Sequence, residues 1–415
     1  MTVFNPVWRV KIQGVAYTTY TLSNLTITSG RNNIYQQAQA GYCNLELLNL
    51  TQAIVDIHIN DSVTIELQDS TATYVPIFGG TVVDFGVEII TAGSIGINQV
   101  LKITALGALS RLPKALTDGT LVQDFDGDQI YHILQDLLLN NWGEVPAALQ
   151  WANYDPTETW ANAQNVGLGE IDQPGNYELA ARSSDRVDIY SLVAALATSG
   201  LGYIYEDSQG RISYADSTHR SVYLATYGYT ELTANHALFN GLKIETRAGD
   251  VRNDITLKYG TNSNQEVSAE DINSIDLYVR LAQAISTTVK HQADAQDQAY
   301  FYLTLRAAPQ ANFTAITYQL TNPELDDIDR DSLINAFMGL PLRISDLPPN
   351  MVAGTFQGFV EGWSFKAAYN EISITLNLSP LSYSLQAMSW EQVPIAEAWN
   401  TISGALTWET ALVVA

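Results

Sequence analysis

The run DFDGD, Asp124–Asp128, is the most metal-like cluster of side chains in the sequence. Carboxylates at alternate positions open a calcium loop of the EF-hand kind, which also needs glycine at its sixth position and glutamate at its twelfth. Counted from Asp124, those positions hold Gln129 and Gln135, so the pattern fails at both. The expectation is a solvated turn leading into a helix, with Asp128 capping the first turn. DDIDRDS (326–332) is a similar case, again without a bidentate glutamate in place. The histidines, His58, His132, His219, His236 and His291, form no His-Glu-x-x-His or Cys/His pattern. His132 falls off the apolar face of its helix and is expected at the surface. The single cysteine, Cys43, alternates in phase with Leu45 and Leu47 in GYCNLELL. That phase predicts a buried strand position rather than a nucleophile. There is no phosphate-cradling glycine pattern and no Gly-x-Ser-x-Gly elbow. Acidic pairs are too common in this composition for any one to be read as a glycosidase dyad. The sequence therefore predicts no catalytic, cofactor-binding or metal-binding residues.

The elements that would position any site come from a chain of 415 residues, 46% apolar and only 15% charged. That length implies two to four domains, each able to bury a real interior. With charge below the usual quarter, Asn, Gln, Thr, Ser and Tyr must supply the polar surface. Such a mix suits proteins that bury much of their surface in assemblies, and also secreted β-proteins. The formal net charge is −24, from 20 Lys+Arg against 44 Asp+Glu. No cationic cluster is present for binding phosphate, and so acidic a surface repels DNA; improved solubility is the plain alternative. One cysteine allows no intrachain disulfide. The opening MTVFNPVWRVKIQG has no apolar run of the signal-peptide kind, and no stretch reaches membrane-spanning length, so folding in a cytoplasm is expected.

Residues 1–112 read as short strands: VWRVKIQGV, YTLSNLTITSG, CNLELLNL, DSVTIELQDS and VLKITAL alternate and end in Gly, Asn, Asp or Ser. This predicts a barrel or sandwich. DQIYHILQDLLLNN then places Ile130, Ile133, Leu134, Leu137 and Leu138 at helical spacing. A stretch of about 142–186 lacks periodicity and reads as an extended loop. DIYSLVAALATSG predicts a helix ended by Gly200, and LGYIYEDSQGRISYAD a hairpin turning near Ser208–Gly210. From about residue 241 the strand texture returns, interrupted by one helix around KHQADAQDQAYFYLTLRA.

A repeat runs through this pattern. FGGTVVDFGV begins at Phe78 and FQGFVEGWSF at Phe356, so Phe78, Gly80 and Val82 share their spacing with Phe356, Gly358 and Val360. Residues at i, i+2 and i+4 line one strand face, and a glycine between bulky neighbours permits close approach or a bulge. The flanks also match. NDSVTIEL precedes the first copy as GLPLRISDL precedes the second. LKITALGALSRL follows the first as ISITLNLSPLSYSL follows the second. This pairing sets Leu101 and Ile103 against Ile372 and Ile374, and Leu109-Ser110 against Leu381-Ser382. One β-module is therefore expected twice. One consequence, among several options, is that a homotrimer would present six similar modules and could dock on a sixfold ring.

The chain resembles a phage minor tail protein of the tail-hub type. ITSGRNNIYQQAQAGYCNLELLNL looks like the hub opening, where a Gly-Arg turn precedes an Ala-Gly…Leu strand. VPIFGGTVVD and FQGFVEGWSF look like the barrel strands, and SIDLYVRLAQAISTTVKHQADAQDQAYFYL like a strand–helix stretch of the second barrel. SWEQ…AWNT…TWET is similar to the Trp-containing tails of such proteins. The resemblance covers most of the chain and departs from the pattern at 142–186. It implies a mainly β protein with two tail-tube-like β-barrels, at 1–115 and 241–385. An α+β insertion with helices would occupy 116–240, and a C-terminal docking arm 386–415. It implies a non-enzymatic virion protein without cofactors, made in the host cytoplasm and placed at the tail tip. Its partners would be two further copies of itself, distal tail or tail-tube proteins, a tape-measure protein, and downstream minor tail or receptor-binding proteins. Genomic DNA would pass through an acidic channel without sticking.

Trp390, Trp399 and Trp408 recur every nine residues near the carboxyl end. Three aromatic anchors on a terminal arm can pack into a partner's grooves or add a strand to its sheet; equally, they can close the protein's own barrel. The many Tyr and Trp residues also leave open a receptor- or carbohydrate-binding module, and a tail-associated cell-wall hydrolase is the third reading.

Overall fold

A computed structural model describes residues 4–18, 20–51, 54–91, 98–139, 168–238, 243–246, 248–309, 311–348, 354–368 and 371–381. The C-terminal arm with Trp390, Trp399 and Trp408 lies outside the described residues, as does Ser382. Short alternating segments become strands because each can bury one face. In Gln39–Asn49, Cys43, Leu45 and Leu47 are buried while Tyr42 and Asn44 face out. Each such leucine contributes about 1.5–3 kcal/mol by leaving water.

Thirteen strands form one sheet. In chain order they are β1 (Trp8–Ile12), β2 (Val15–Ala16), β3 (Thr21–Gly30), β4 (Gln39–Asn49), β5 (Ser62–Gln68), β6 (Tyr74–Thr91), β7 (Asn98–Leu106), β8 (Thr230–Thr233), β9 (Lys243–Thr246), β10 (Ala311–Gln319), β11 (Pro341–Ser345), β12 (Phe356–Ala368) and β13 (Glu371–Pro380). The first half runs β1-β5-β6-β7-β4-β3 in space; the second runs β8-β11-β12-β13-β10-β9. The two halves thus share both chain order and spatial order, strand for strand. There are two departures: β1 is antiparallel to β5, where β8 runs parallel to β11, and β2, which pairs with β1, has no second-half counterpart.

The halves are expected as two tail-tube-like β-barrels, and no closed barrel is present among the described residues. β3 pairs antiparallel with β12 and joins the halves in a single sheet, whose path is open among the described residues. The protein is mainly β, with helices between the strands. Those helices are α1 (Asp126–Leu139), α2 (Ile189–Ser199), α3 (His219–Tyr227), α4 (Ile272–Tyr278), α5 (Gln292–Arg306) and α6 (Asp327–Ile334). α1, α2 and α5 fall where the apolar spacing places them, and Asp188 caps α2 by accepting from Ser191 N (2.8 Å). The predicted hairpin is present as Tyr203–Glu206 against Ile212–Ala215.

Three elements depart from the sequence reading. Asp128 lies within the first turn of α1 rather than capping it, and accepts from Gln173 Nε2 at 3.0 Å. Within the aperiodic 142–186 stretch, Leu168–Ile171 is a strand parallel to Ile212–Ala215; residues 140–167 lie outside the described ones. A strand of four residues, three of them fully covered, is too short and too buried to show alternation. The second half also carries α4, α6 and a three-stranded sheet of Asp254–Tyr259, Gln265–Glu270 and Ala282–Ser286, against which α5 packs. No helix among the described residues is long and apolar enough to cross a membrane.

Candidate functional site

The repeated motif marks the same joint in each half. In β6, the ring of Phe78 folds over Gly80, where an added Cβ would lie 2.8 Å from the ring and 2.5 Å from the Leu106 carbonyl oxygen. In β12, Phe356 folds over Gly358, where a Cβ would lie 2.7 Å from the ring and 2.1 Å from the Ser379 carbonyl oxygen. Only glycine lets ring and neighbouring strand approach this closely. Val82 donates to Asp61 O (2.9 Å) and accepts from Asn60 N (2.8 Å); Val360 donates to Leu340 O (3.0 Å) and accepts from Gly339 N (2.7 Å). Both strands then break register at the next residue, Val83 in β6 and Glu361 in β12. Through this register Leu101 matches Ile374 and Ile103 matches Leu376. The sequence pairing with Ile372 and Ile374 is two residues out. A two-residue slip keeps every side chain on its own face, so apolar pattern alone cannot detect it.

The bulge in the second half holds a charge where the first has valine. Glu361 is fully buried, and Arg31 donates Nε–H to its Oε2 (2.6 Å). Arg220 approaches from α3, its Nη1 2.7 Å from Oε1 and its Nη2 3.0 Å from Oε2. Ser379 donates to Oε1. The Arg220 guanidinium also stacks 4.5 Å from the Tyr203 ring centroid. Arg31 follows β3, Glu361 belongs to β12 and Arg220 to the intervening segment, so one carboxylate ties three parts of the chain. Burial by itself raises a carboxyl pKa, but the charges of Arg220 and Arg31 overcome it and hold Glu361 at about 2. Gly30 makes the approach possible: its φ is +86°, and an added Cβ would lie 2.4 Å from the Glu361 carbonyl oxygen and 2.5 Å from Gly362 Cα.

Two further buried carboxylates behave oppositely. Asp126 accepts from the Tyr214 hydroxyl and from Tyr177 N (2.9 Å). Burial outweighs these bonds and lifts it to about 6. Glu206 accepts from Gly41 N (2.8 Å) and Leu109 N (2.5 Å), and burial lifts it to about 7. DFDGD is therefore not a fully solvated turn: Asp124–Phe125 pairs with Glu178–Leu179, and Asp126 faces inward. A folded-state pKa above the unfolded value of 3.8 means stability that is full below pH 3.8 and lost as pH rises through 6. Asp126→Asn, which keeps the shape, is expected to flatten a fall in unfolding free energy of about 2–3 kcal/mol across that window. Urea midpoints at stepped pH values measure it.

The histidines do not converge on one site. His58 and His132 are exposed, His236 Nδ1 lies 3.4 Å from Asp329, and His291 bonds Glu178. His219 differs. Its Nδ1 lies 2.7 Å from Asp172 Oδ2, and ligand atoms of Glu170, Asp172 and His219 fall within 4.8 Å of one another. Burial disfavours the imidazolium, but Asp172, then Glu170 and Asp216, favour it more, so its pKa is raised. Two carboxylates and an imidazole match a three-donor divalent-metal set, though Nδ1 is already engaged by Asp172. The trio is not legible in the sequence, because His219 lies far along the chain from Glu170 and Asp172 and only the fold brings it to them. Cys43 is fully buried, and burial raises its thiol pKa, as its strand phase predicts.

No protein-family model matches the sequence, and no curated protein is similar to it by sequence. Solved structures do match. A tail protein from Neisseria meningitidis MC58 superposes with a TM-score of 0.56 at 13% identity, over 92% of this chain and 98% of that one. A 43 kDa tail protein of prophage MuSo2 from Shewanella oneidensis superposes with a TM-score of 0.53 at 10% identity, over 91% and 99%. The chain has the fold of phage tail proteins over nearly its whole length.

Proposed function

We propose that this chain is a structural subunit of a phage tail, three copies of which form a hub at the tail tip. The carrying observation is the duplicated sheet, in which two halves of one chain repeat the same strand order, bulge and glycine joint. Each half is a tube-like module, and three chains would offer six such modules to a sixfold tube while offering threefold symmetry to the tip. The Arg31–Glu361–Arg220 knot supports this reading, because a ring that bears load needs the two modules of a chain held at a fixed angle. The acidic composition suits a channel wall that repels passing DNA. Distal tail or tube proteins and the tape-measure protein would meet one face, and downstream tail proteins the other, with the arm bearing Trp390, Trp399 and Trp408 as a docking element. The role needs no catalysis, cofactor or metal. The test is electron microscopy of tails assembled with an epitope-tagged chain. Label confined to the tip end supports the reading; label along the tube, or particles without label, overturns it.

A further inference from the structure

Within one chain, the C-terminal half of β12 has a neighbour on each side. β13 pairs with one edge, and β3 pairs with the other from Gly362↔Gly30 to Ala367↔Leu25. The matching half of β6 does not. Among the described residues, Asp84–Thr91 pairs with β7 alone. The face is written in the same apolar alternation: Phe85, Val87 and Ile89 stand where β12 has Trp363, Phe365 and Ala367. Yet Phe365 and Ala367 are 2% and 4% exposed, while Val87 and Ile89 are 48% and 55% exposed. The other end of the sheet carries the complementary gap. β9 is the second-half counterpart of β3, and among the described residues it pairs with β10 alone.

We propose that β9 of a second copy adds antiparallel to the open edge of β6, repeating between chains the β3–β12 joint made within each chain. The inference rests on the ring reading and supplies its contact. The second copy is the occupant the molecule itself specifies, because the internal joint shows that a strand of this lineage covers this edge. The register follows from the repeat. Thr26 lies opposite Lys366, and Lys243 takes the place of Thr26 against the neighbouring strand while Glu88 takes that of Lys366. Lys243 of the neighbouring copy therefore lies opposite Glu88. Such a contact is head-to-tail, so it closes into a ring or continues as a filament. Pairing would also cover an edge that is otherwise an aggregation template.

The full chain carrying Glu88→Cys with Lys243→Cys tests this. Directly opposed strand residues fall within disulfide reach, and Cys43 is buried and does not compete. Mild oxidation is expected to give a non-reducing gel ladder that ends at three chains. Val87→Asp with Ile89→Asp, both at exposed positions, is expected to raise the concentration for half-assembly by about tenfold or more. The monomer melting temperature should stay unchanged. If the wild type is trimeric, yet no cross-link forms and the Asp variant assembles normally, the edge assignment falls and the ring reading stands. A ladder continuing past three keeps the edge and sinks the ring. A wild type still monomeric at the highest soluble concentration, without cross-link, sinks both. Slow exchange in the monomer of those amides in 84–91 that point away from β7 assigns the edge to the same chain and overturns the proposal.

Discussion

Glu361→Val is expected to lower the unfolding free energy by about 3–5 kcal/mol, because it leaves two buried guanidinium groups without their counter-charge. Arg31 and Arg220 both bond this carboxylate inside the sheet. A chain with Glu361→Val, Arg31→Met and Arg220→Met together is expected to recover most of the loss. Buried ion triads replaced whole by apolar side chains often cost little, and Val83 already fills the matching bulge of the first half. Guanidinium-chloride midpoints for the single and triple variants measure both. If the single variant proves neutral, the carboxylate does not hold the joint. The pH dependence has a definite sign. A folded-state pKa of about 2, below the usual 4.5, gives stability that is full above pH 4.5 and lost as pH falls through 2. Asp126 and Glu206 act in the opposite sense and erode stability as pH rises through 6 and 7. The contributions of these three groups coincide only on the acid side of neutrality.

Gly30→Ala is the second large effect. A left-handed φ of +86° costs a non-glycine residue about 1–3 kcal/mol. The new methyl would also lie 2.4 Å from one backbone atom and 2.5 Å from another, neither the movable end of a side chain. β3 must then shift against β12, where the halves meet. The expected result is a loss of about 3 kcal/mol or more, with faster amide exchange along 25–30 and 362–367 than in the rest of the sheet. A loss spread evenly over the chain would mean that Gly30 supports the fold generally and not the joint.

Much of the architecture is legible in the residues because burial leaves period-two and period-3.6 marks on them. Leu45 and Leu47 reveal β4, and Ile130, Ile133 and Leu134 reveal α1. The duplication is visible in Phe78-x-Gly80 and Phe356-x-Gly358 because a ring folded over a glycine tolerates no other pairing. What the sequence hides is long-range. Nothing local says that β3 crosses to β12 and joins the two halves in one sheet. The Glu361 knot carried one signal: a lone acid in the apolar run FVEGWSF, followed by glycine, is where a bulge can turn a charge inward. Arg31 and Arg220 could not be matched to it, since their partnership exists only in the fold. For the same reason Glu170, Asp172 and His219 were unreadable as a group.

Three chains stand in for six if the copied module works as proposed. Electron-microscopic class averages of the assembled chain, with mass measured on the same sample, decide this. The expected image is a three-chain ring with six similar lobes about its axis. A twofold dimer, or a ring whose lobes are three or of two unlike shapes, would contradict it.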